Sequence, residues 1–304
     1  MKELTPNYYK KFRCIADKCT HSCCVGWEID IDENTLFYYK SLDTPMGERI
    51  RHNIDGQTPH FVLTKDERCP FLNTKGLCDI ITECGEDALC DICRLHPRFS
   101  NFFDSFVETG LGLCCEEAVR IVLCETEKFS IGIPDEDCIT DEERDFLSHR
   151  EKIFALLQDR EKSIYDRFCA LAEGYGFEFD FSVDSLCEIY LSLERLDEKW
   201  TDMLEALKDF SFDCEIFKSS DFALIFEQLS CYFVFRHFAD ALWYEDYVER
   251  IRFVLLSCYL VGALVSKIEN DNKKISNEEI FDVVRMYSSE VEYSVENMQI
   301  LLTL

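Results

Sequence analysis

Residues 14–24 read CIADKCTHSCC, which places four cysteines, Cys14, Cys19, Cys23 and Cys24, in eleven positions, the last two adjacent. The first twelve residues, MKELTPNYYKKF, carry no apolar h-region, so no secretory leader is expected and the chain is assigned to the cytoplasm. Thiols there are held reduced, which argues against a disulfide framework, and metal binding is the usual reason for crowding them. Working outward, three more groups follow. Cys69 and Cys78 lie in RCPFLNTKGLCDI, Cys84, Cys90 and Cys93 in ECGEDALCDICRLHPR, and Cys114 and Cys115 in GLCCEEAVR. The other seven cysteines, from Cys124 to Cys258, are singletons with no ligand spacing between them, and read as buried or incidental residues.

Thiolates are soft ligands that suit zinc or iron–sulfur centres. Structural zinc favours paired C-x2-C knuckles, and only Cys90 and Cys93 have that spacing. The remaining gaps are irregular, and adjacent cysteines are awkward for one tetrahedral zinc. A cuboidal cluster accepts ligands from scattered loops, so iron–sulfur is favoured and zinc kept as the alternative. The spacing C-x3-C-x2-C of radical S-adenosylmethionine enzymes is absent: Cys19 and Cys23 supply the first gap, but residue 26 is Gly. His21, inside the first clump, reads as a neighbour of the centre rather than a ligand.

The pattern changes after the cysteines. The stretch SIGIPDEDCITD, residues 130–141, reads as a linker between a domain over 1–130 and one over 140–304. Thr140 with Glu143 is a capping-box signature for a helix running to Gln158. Further helices are expected over 162–172, 184–210, 221–243, 244–268, 276–289 and 292–304, on apolar residues at three- and four-residue steps. In the first half, Trp27 to Asp32 alternates apolar and acidic residues as a half-exposed strand does. Asp32 or Asn34 is expected to cap a helix through Tyr39, short strands to cover 60–63 and 107–113, and a helix 116–124. The expected fold is thus mainly α: a small irregular cysteine-rich N-terminal domain with a few short strands, then an all-α bundle.

Net charge is −28, of which −6 falls on residues 1–120 and −22 on the rest. Such a field repels nucleic acid and anionic lipid and attracts basic, lysine-bearing partners. The longest strongly apolar run, Phe253 to Val265, is interrupted by Ser257 and Gly262 and is too short to span a bilayer, so a buried helix is expected there and no membrane association.

The order CIADKC…CCVGWEIDID, CPFL…GLCDI, LCDICRLHPRF and GLCCEEAVR resembles the flagellin lysine-N-methylase family, within a broader group of cysteine-rich zinc- or iron-chelating proteins. The similarity covers about residues 8–123; beyond it only the helical plan is shared. The resemblance implies methyl transfer from S-adenosylmethionine to lysine amines on flagellin, and a [4Fe-4S] cluster. On the matching motifs it implies metal ligation by Cys14, Cys19, Cys23, Cys24, Cys69, Cys78, Cys93 and Cys115. Cys84, Cys90 and Cys114 stand where the family has other residues, and Glu116 replaces an expected proline.

Methylating lysine requires the neutral amine, so the site must desolvate the acceptor or take its proton. Trp27 is the aromatic wall expected beside the cysteines, and Asp30, with Asp32, the carboxylate expected to take the proton. Arg94 and Arg98, flanking Cys93, are the cations expected to hold the cofactor's carboxylate. Gly110 and Gly112 form a G-x-G without a third glycine, so S-adenosylmethionine rests on the resemblance alone. A non-catalytic metal-chelating or redox-sensing module fits the same thiols, as does a zinc-stapled interaction scaffold.

Overall fold

The first strand decides how the chain divides. β1 (Lys2–Leu4) pairs in parallel with β5 (Phe106–Leu111), Lys2 opposite Phe106 and Leu4 opposite Glu108. Parallel neighbours need a long crossover, and residues 13–99 lie within this one. In the computed structural model, which describes all 304 residues, residues 13–99 form one unit, and residues 1–12 with 100–304 form the other.

The boundary expected at 130–140 therefore lies elsewhere, because the supposed linker is tied down. Asn7 N donates to Ser130 O at 3.0 Å and Gly132 N to Thr5 O at 3.3 Å. Lys2 Nζ pairs with Asp135 at 2.6 Å, and Ser105 Oγ donates to Cys138 O at 2.7 Å. A glycine and a proline interrupt regular structure here without separating domains.

The unit 13–99 holds four short helices, α1 (Glu33–Ser41), α2 (Pro45–His52), α3 (Asp79–Cys84) and α4 (Asp91–Leu95), and the hairpin β2 (Ile54–Asp55) and β3 (His60–Phe61). Asp32 is the N-cap of α1, its Oδ1 accepting from Thr35 N at 2.9 Å. Thr44 does the same for α2, with Pro45 in the first turn. The alternation over 27–32 holds: Ile29 and Ile31 are buried while Glu28 and Asp30 face out. The segment is extended rather than a full strand, with Ile31 N donating to Pro59 O and Phe61 N to Ile29 O. Its core joins Ile29, Ile31, Tyr39, Ile50, Phe61, Phe71 and Ile80 with Cys69 and Cys90.

The larger unit carries β4 (Arg98–Phe102) beside β5, giving the sheet order β1-β5-β4, and then ten helices. These are α5 (Glu116–Leu123), α6 (Asp141–Leu157), α7 (Ile164–Gly174), α8 (Val183–Ser192), α9 (Glu198–Glu205), α10 (Ser220–His237), α11 (Ala241–Tyr244), α12 (Tyr247–Asn272), α13 (Asn277–Tyr287) and α14 (Val295–Leu301). The capping boxes Thr140/Glu143 and Ser276/Glu279 both form. α12 is the one helix long and apolar enough to cross a membrane by length and composition, and 78% of its most apolar stretch is buried inside the protein. It packs against α10, α13 and α7.

Two long helices expected from periodicity are broken. The 184–210 segment splits into α8 and α9 because groups from the C-terminal region take over its backbone. The Glu290 carboxylate accepts from Leu196 N and Asp197 N at 2.8 and 2.9 Å, and Asn297 both accepts from Glu194 N and donates to Glu194 O. Asp197 then caps α9. The 221–243 segment ends at His237, whose carbonyl accepts from Arg250 Nη1 at 2.6 Å. The unit also buries the ion pairs Glu108–Arg150 and Glu227–Arg167, and a network of Tyr232, Arg236, His237 and Glu292.

Candidate metal centre

Three loops of the unit 13–99 bring thiols to one core. Cys24 and Cys69 are joined through the backbone, Cys69 N donating to Cys24 O at 2.8 Å. The chain after Cys69 folds back on itself. Asn73 Oδ1 accepts from Lys75 N and Leu77 N at 2.9 and 3.0 Å, Gly76 adopts φ +75°, and Leu72 bridges Cys78. Only a residue tolerant of the left-handed region turns the chain this tightly, and the turn returns Cys78 to the side of Cys69. Cys90 is the N-cap of α4 and Cys93 lies in its first turn. This turn is pinned from α1: Tyr39 Oη donates to Ala88 O at 2.7 Å, and Asp32 Oδ2 accepts from Asp91 N at 3.0 Å.

The electrostatics show who neighbours whom. Burial pushes the Cys69 thiol up to about 12, and negative charge on Cys24 and Cys78 adds to the shift. Burial likewise raises Cys78, with Cys24 adding to it. Cys93 is raised first by its hydrogen bond with Cys90, then by burial and by Cys90, Cys24 and Cys69. The same hydrogen bond lowers Cys90. A hydrogen bond from Cys23, with Ser22 and the Arg68 charge, lowers Cys24 to about 7. Cys24, Cys69, Cys78 and Cys93 thus share one neighbourhood, with Cys90 in contact with Cys93.

As donors these soft sulfurs suit a thiophilic metal. In the present geometry no three His, Cys, Asp or Glu side chains stand close enough together to hold a metal ion. The thiols pack here in one apolar core with Ile80, Phe71 and Tyr39.

The other residues singled out from the sequence lie around this core or away from it. Cys14 is exposed, with Ala16 N donating to its Sγ at 3.4 Å. Cys19 is half-buried and donates to His21 O, and Cys23 is exposed, its carbonyl accepting from Trp27 Nε1 at 2.7 Å. Cys84, in α3, packs on the thiol-bearing core. Cys115 belongs to the other unit, at the N-cap of α5, beside Cys114, whose thiol burial pushes up to about 11. Trp27 is 38% exposed, its ring 6.3 Å from that of His96. Burial, and then the charge of Arg98, lowers His96 to about 4. Asp30 is exposed, opposite His60. Arg94 is exposed and pairs with Asp91. Arg94, Asp32, Asp87 and Asp91 line a cavity of about 300 Å³ beside α4.

Sequence reasoning placed Cys90 outside the set, yet it is one of the two fully buried thiols of this core. Its C-x2-C spacing was the available signal. The Tyr232–Glu292 network was not foreseen, because its members are sixty residues apart and no local pattern marks them.

These features define a class: a mainly α protein with a cysteine-rich unit inserted after its first strand, several thiols of which share one core. Comparison with known proteins narrows it. The chain is 28% identical over 143 residues to the flagellar biosynthetic protein FliU of Salmonella muenchen, covering 43% of this chain and 85% of that one. It is 26% identical over 150 residues to the lysine-N-methylases of Salmonella typhimurium strain LT2 and Salmonella choleraesuis strain SC-B67, covering 43% of this chain and 36% of each of those. It therefore resembles the lysine-N-methylases while spanning about a third of their length. No family model and no solved structure matches it.

Proposed function

We propose that this chain is a protein-lysine N-methyltransferase of the bacterial cytoplasm that acts on flagellin, uses S-adenosylmethionine, and holds a [4Fe-4S] cluster, or failing that zinc, on Cys24, Cys69, Cys78 and Cys93. The carrying observation is the shared neighbourhood of these four thiols, drawn from three loops. The names of the relatives, lysine-N-methylase and a flagellar biosynthetic protein, supply the reaction class. Closing the four sulfurs onto a metal takes side-chain rotation and loss of their protons, which a bound cation favours. When bound, such a cluster supplies a fixed charge and a cross-link between loops. Cys14, Cys19, Cys23 and Cys115 remain outside this set.

S-adenosylmethionine, when bound, would supply a sulfonium methyl for a lysine amine to take, the S–C bond breaking and S-adenosylhomocysteine keeping the electron pair. The amine must be neutral beforehand. Trp27, part-exposed beside His96, is the wall that desolvates it, and Asp30 is the carboxylate that accepts its proton. Arg94, which pairs with Asp91, and Arg98 would be the cations toward the cofactor's carboxylate.

The test is anaerobic purification with metal analysis and visible absorption, followed by transfer of labelled methyl to flagellin from the same cell. Loss of iron from each of C24S, C69S, C78S and C93S, together with label on lysine, is the expected result. Full metal content in those variants overturns the ligand set. Metal without any transfer favours a non-catalytic chelating or redox-sensing module.

A further inference from the structure

The geometry points to a second role for one pair of thiols: Cys90 and Cys93 form a dithiol that a hydroperoxide closes to a disulfide. Their side chains are already hydrogen-bonded to each other. The backbone that carries them is held in place, with Arg94 N donating to Cys90 O at 2.9 Å and the preceding turn fastened by Tyr39 and Asp32. Residues three apart within a helix keep their Cβ atoms about 5–6 Å apart, too far for a disulfide's roughly 3.8 Å. Cys90 escapes that restriction because, as the N-cap, it has extended backbone angles of φ −64° and ψ 159°. Its sulfur can therefore move onto Cys93 without unwinding the helix.

The surroundings favour this pair over its rivals. Cys90 is fully buried and Cys93 partly exposed, so the pair reaches from the core to the surface. Cys24, Cys69 and Cys78 lie on two other loops, held there by the backbone bond from Cys69 N to Cys24 O and by the bridge between Leu72 and Cys78.

The step balances. One sulfur attacks a peroxide oxygen, the O–O bond breaks, and an alcohol or water leaves. The sulfenic acid formed is attacked by the second sulfur, the S–O bond breaks, and water departs. Two electrons pass from the sulfurs to the peroxide, and a thiol reductant reverses the change. Resting on the ligand set proposed above, the disulfide withdraws Cys93 from the metal and makes loading dependent on redox state.

The test uses the full chain, treated with hydrogen peroxide after chelation, then alkylated, digested and analysed by mass spectrometry. The expected product is a Cys90–Cys93 linkage lighter by two hydrogens, removed by dithiothreitol and missing from C90S. Linkage of Cys93 to Cys24, Cys69 or Cys78 overturns the proposal, as does full alkylation of Cys90 and Cys93 after treatment. C90S is further expected to load as much metal as the unsubstituted chain, and loss comparable to that of C24S would make Cys90 a ligand and overturn the proposal. Metal retained by C24S and C78S instead refutes the ligand set while leaving the disulfide to stand on its own linkage.

Discussion

Replacing Gly262 by alanine tests the packing around the central helix α12. A Cβ built at this position meets Phe217 Cζ at 2.4 Å and Cε1 at 2.8 Å. Carbon atoms prefer about 3.5–4.0 Å, so the ring must retreat by more than an ångström. It has nowhere to go: Phe217 is fully buried, with ring centroids of Phe226 at 4.8 Å, Phe168 at 5.4 Å, and Phe179 and Phe212 at 5.8 Å. Overpacking a rigid core costs about 1–3 kcal/mol, and the caged ring places this case at the upper end. Alanine's better helix propensity returns about 1 kcal/mol. The net loss is about 2 kcal/mol, a fall in Tm of roughly 4–8 °C for a domain of this size. Differential scanning calorimetry or thermal circular dichroism measures it. A second variant, G262A/F217L, should lose less than the two single changes summed, because the smaller side chain relieves the clash. A G262A protein as stable as the unsubstituted chain would refute the reasoning.

Three other outcomes are expected. Removing Glu290 as E290A should destabilise the larger unit by about 1–2 kcal/mol, through the lost bonds to Leu196 N and Asp197 N, and E290Q by less, which urea titration resolves. Asp32→Ala should cost the unit 13–99 about 1–2 kcal/mol, since one side chain caps α1 and also holds Asp91 N, and faster amide exchange at Thr35 and Asp91 is the readout. The third concerns acid. Burial holds His237 below its usual range, so the folded protein binds this proton less readily than the unfolded chain, and stability falls as pH drops through about 6.5. Burial works against the Glu292 carboxylate, but Arg236 and His237 keep it below its usual range; its contribution is present above about 4.3 and lost as pH falls through the folded value. H237Q should therefore remove one contribution to the fall in stability below about 6.5, leaving those of His96, which burial lowers to about 4, and of His149, which burial also lowers. An unchanged slope would show that the Glu292 network does not bias this titration.

Local chemistry was legible wherever it was written in adjacent residues. The capping boxes at Thr140 and Ser276, the Asp32 cap, the alternation at Ile29 and Ile31, and the helical character of the second half need only a few neighbouring side chains, and all are present. The grouping of cysteines into loops was legible too, since spacing alone sets it. Other features depended on residues far apart in the chain. The break between α8 and α9 comes from Glu290 and Asn297, a hundred residues downstream, which offer the backbone better partners than the helix does. The division at 12/13 and 99/100 comes from a three-residue strand finding a partner at Phe106, and a three-residue strand has no periodicity to read. Which thiols face one another was likewise decided in three dimensions. The turn at Gly76 and the pins at Tyr39 and Asp32 select Cys24, Cys69, Cys78, Cys90 and Cys93 from eleven candidates. Composition and spacing thus determine that the chain is mainly helical and that most of its cysteines crowd into residues 14–115. The choice among those sulfurs belongs to the tertiary structure, because a sulfur's neighbours depend on how loops close, and loop closure is an energy shared by the whole unit.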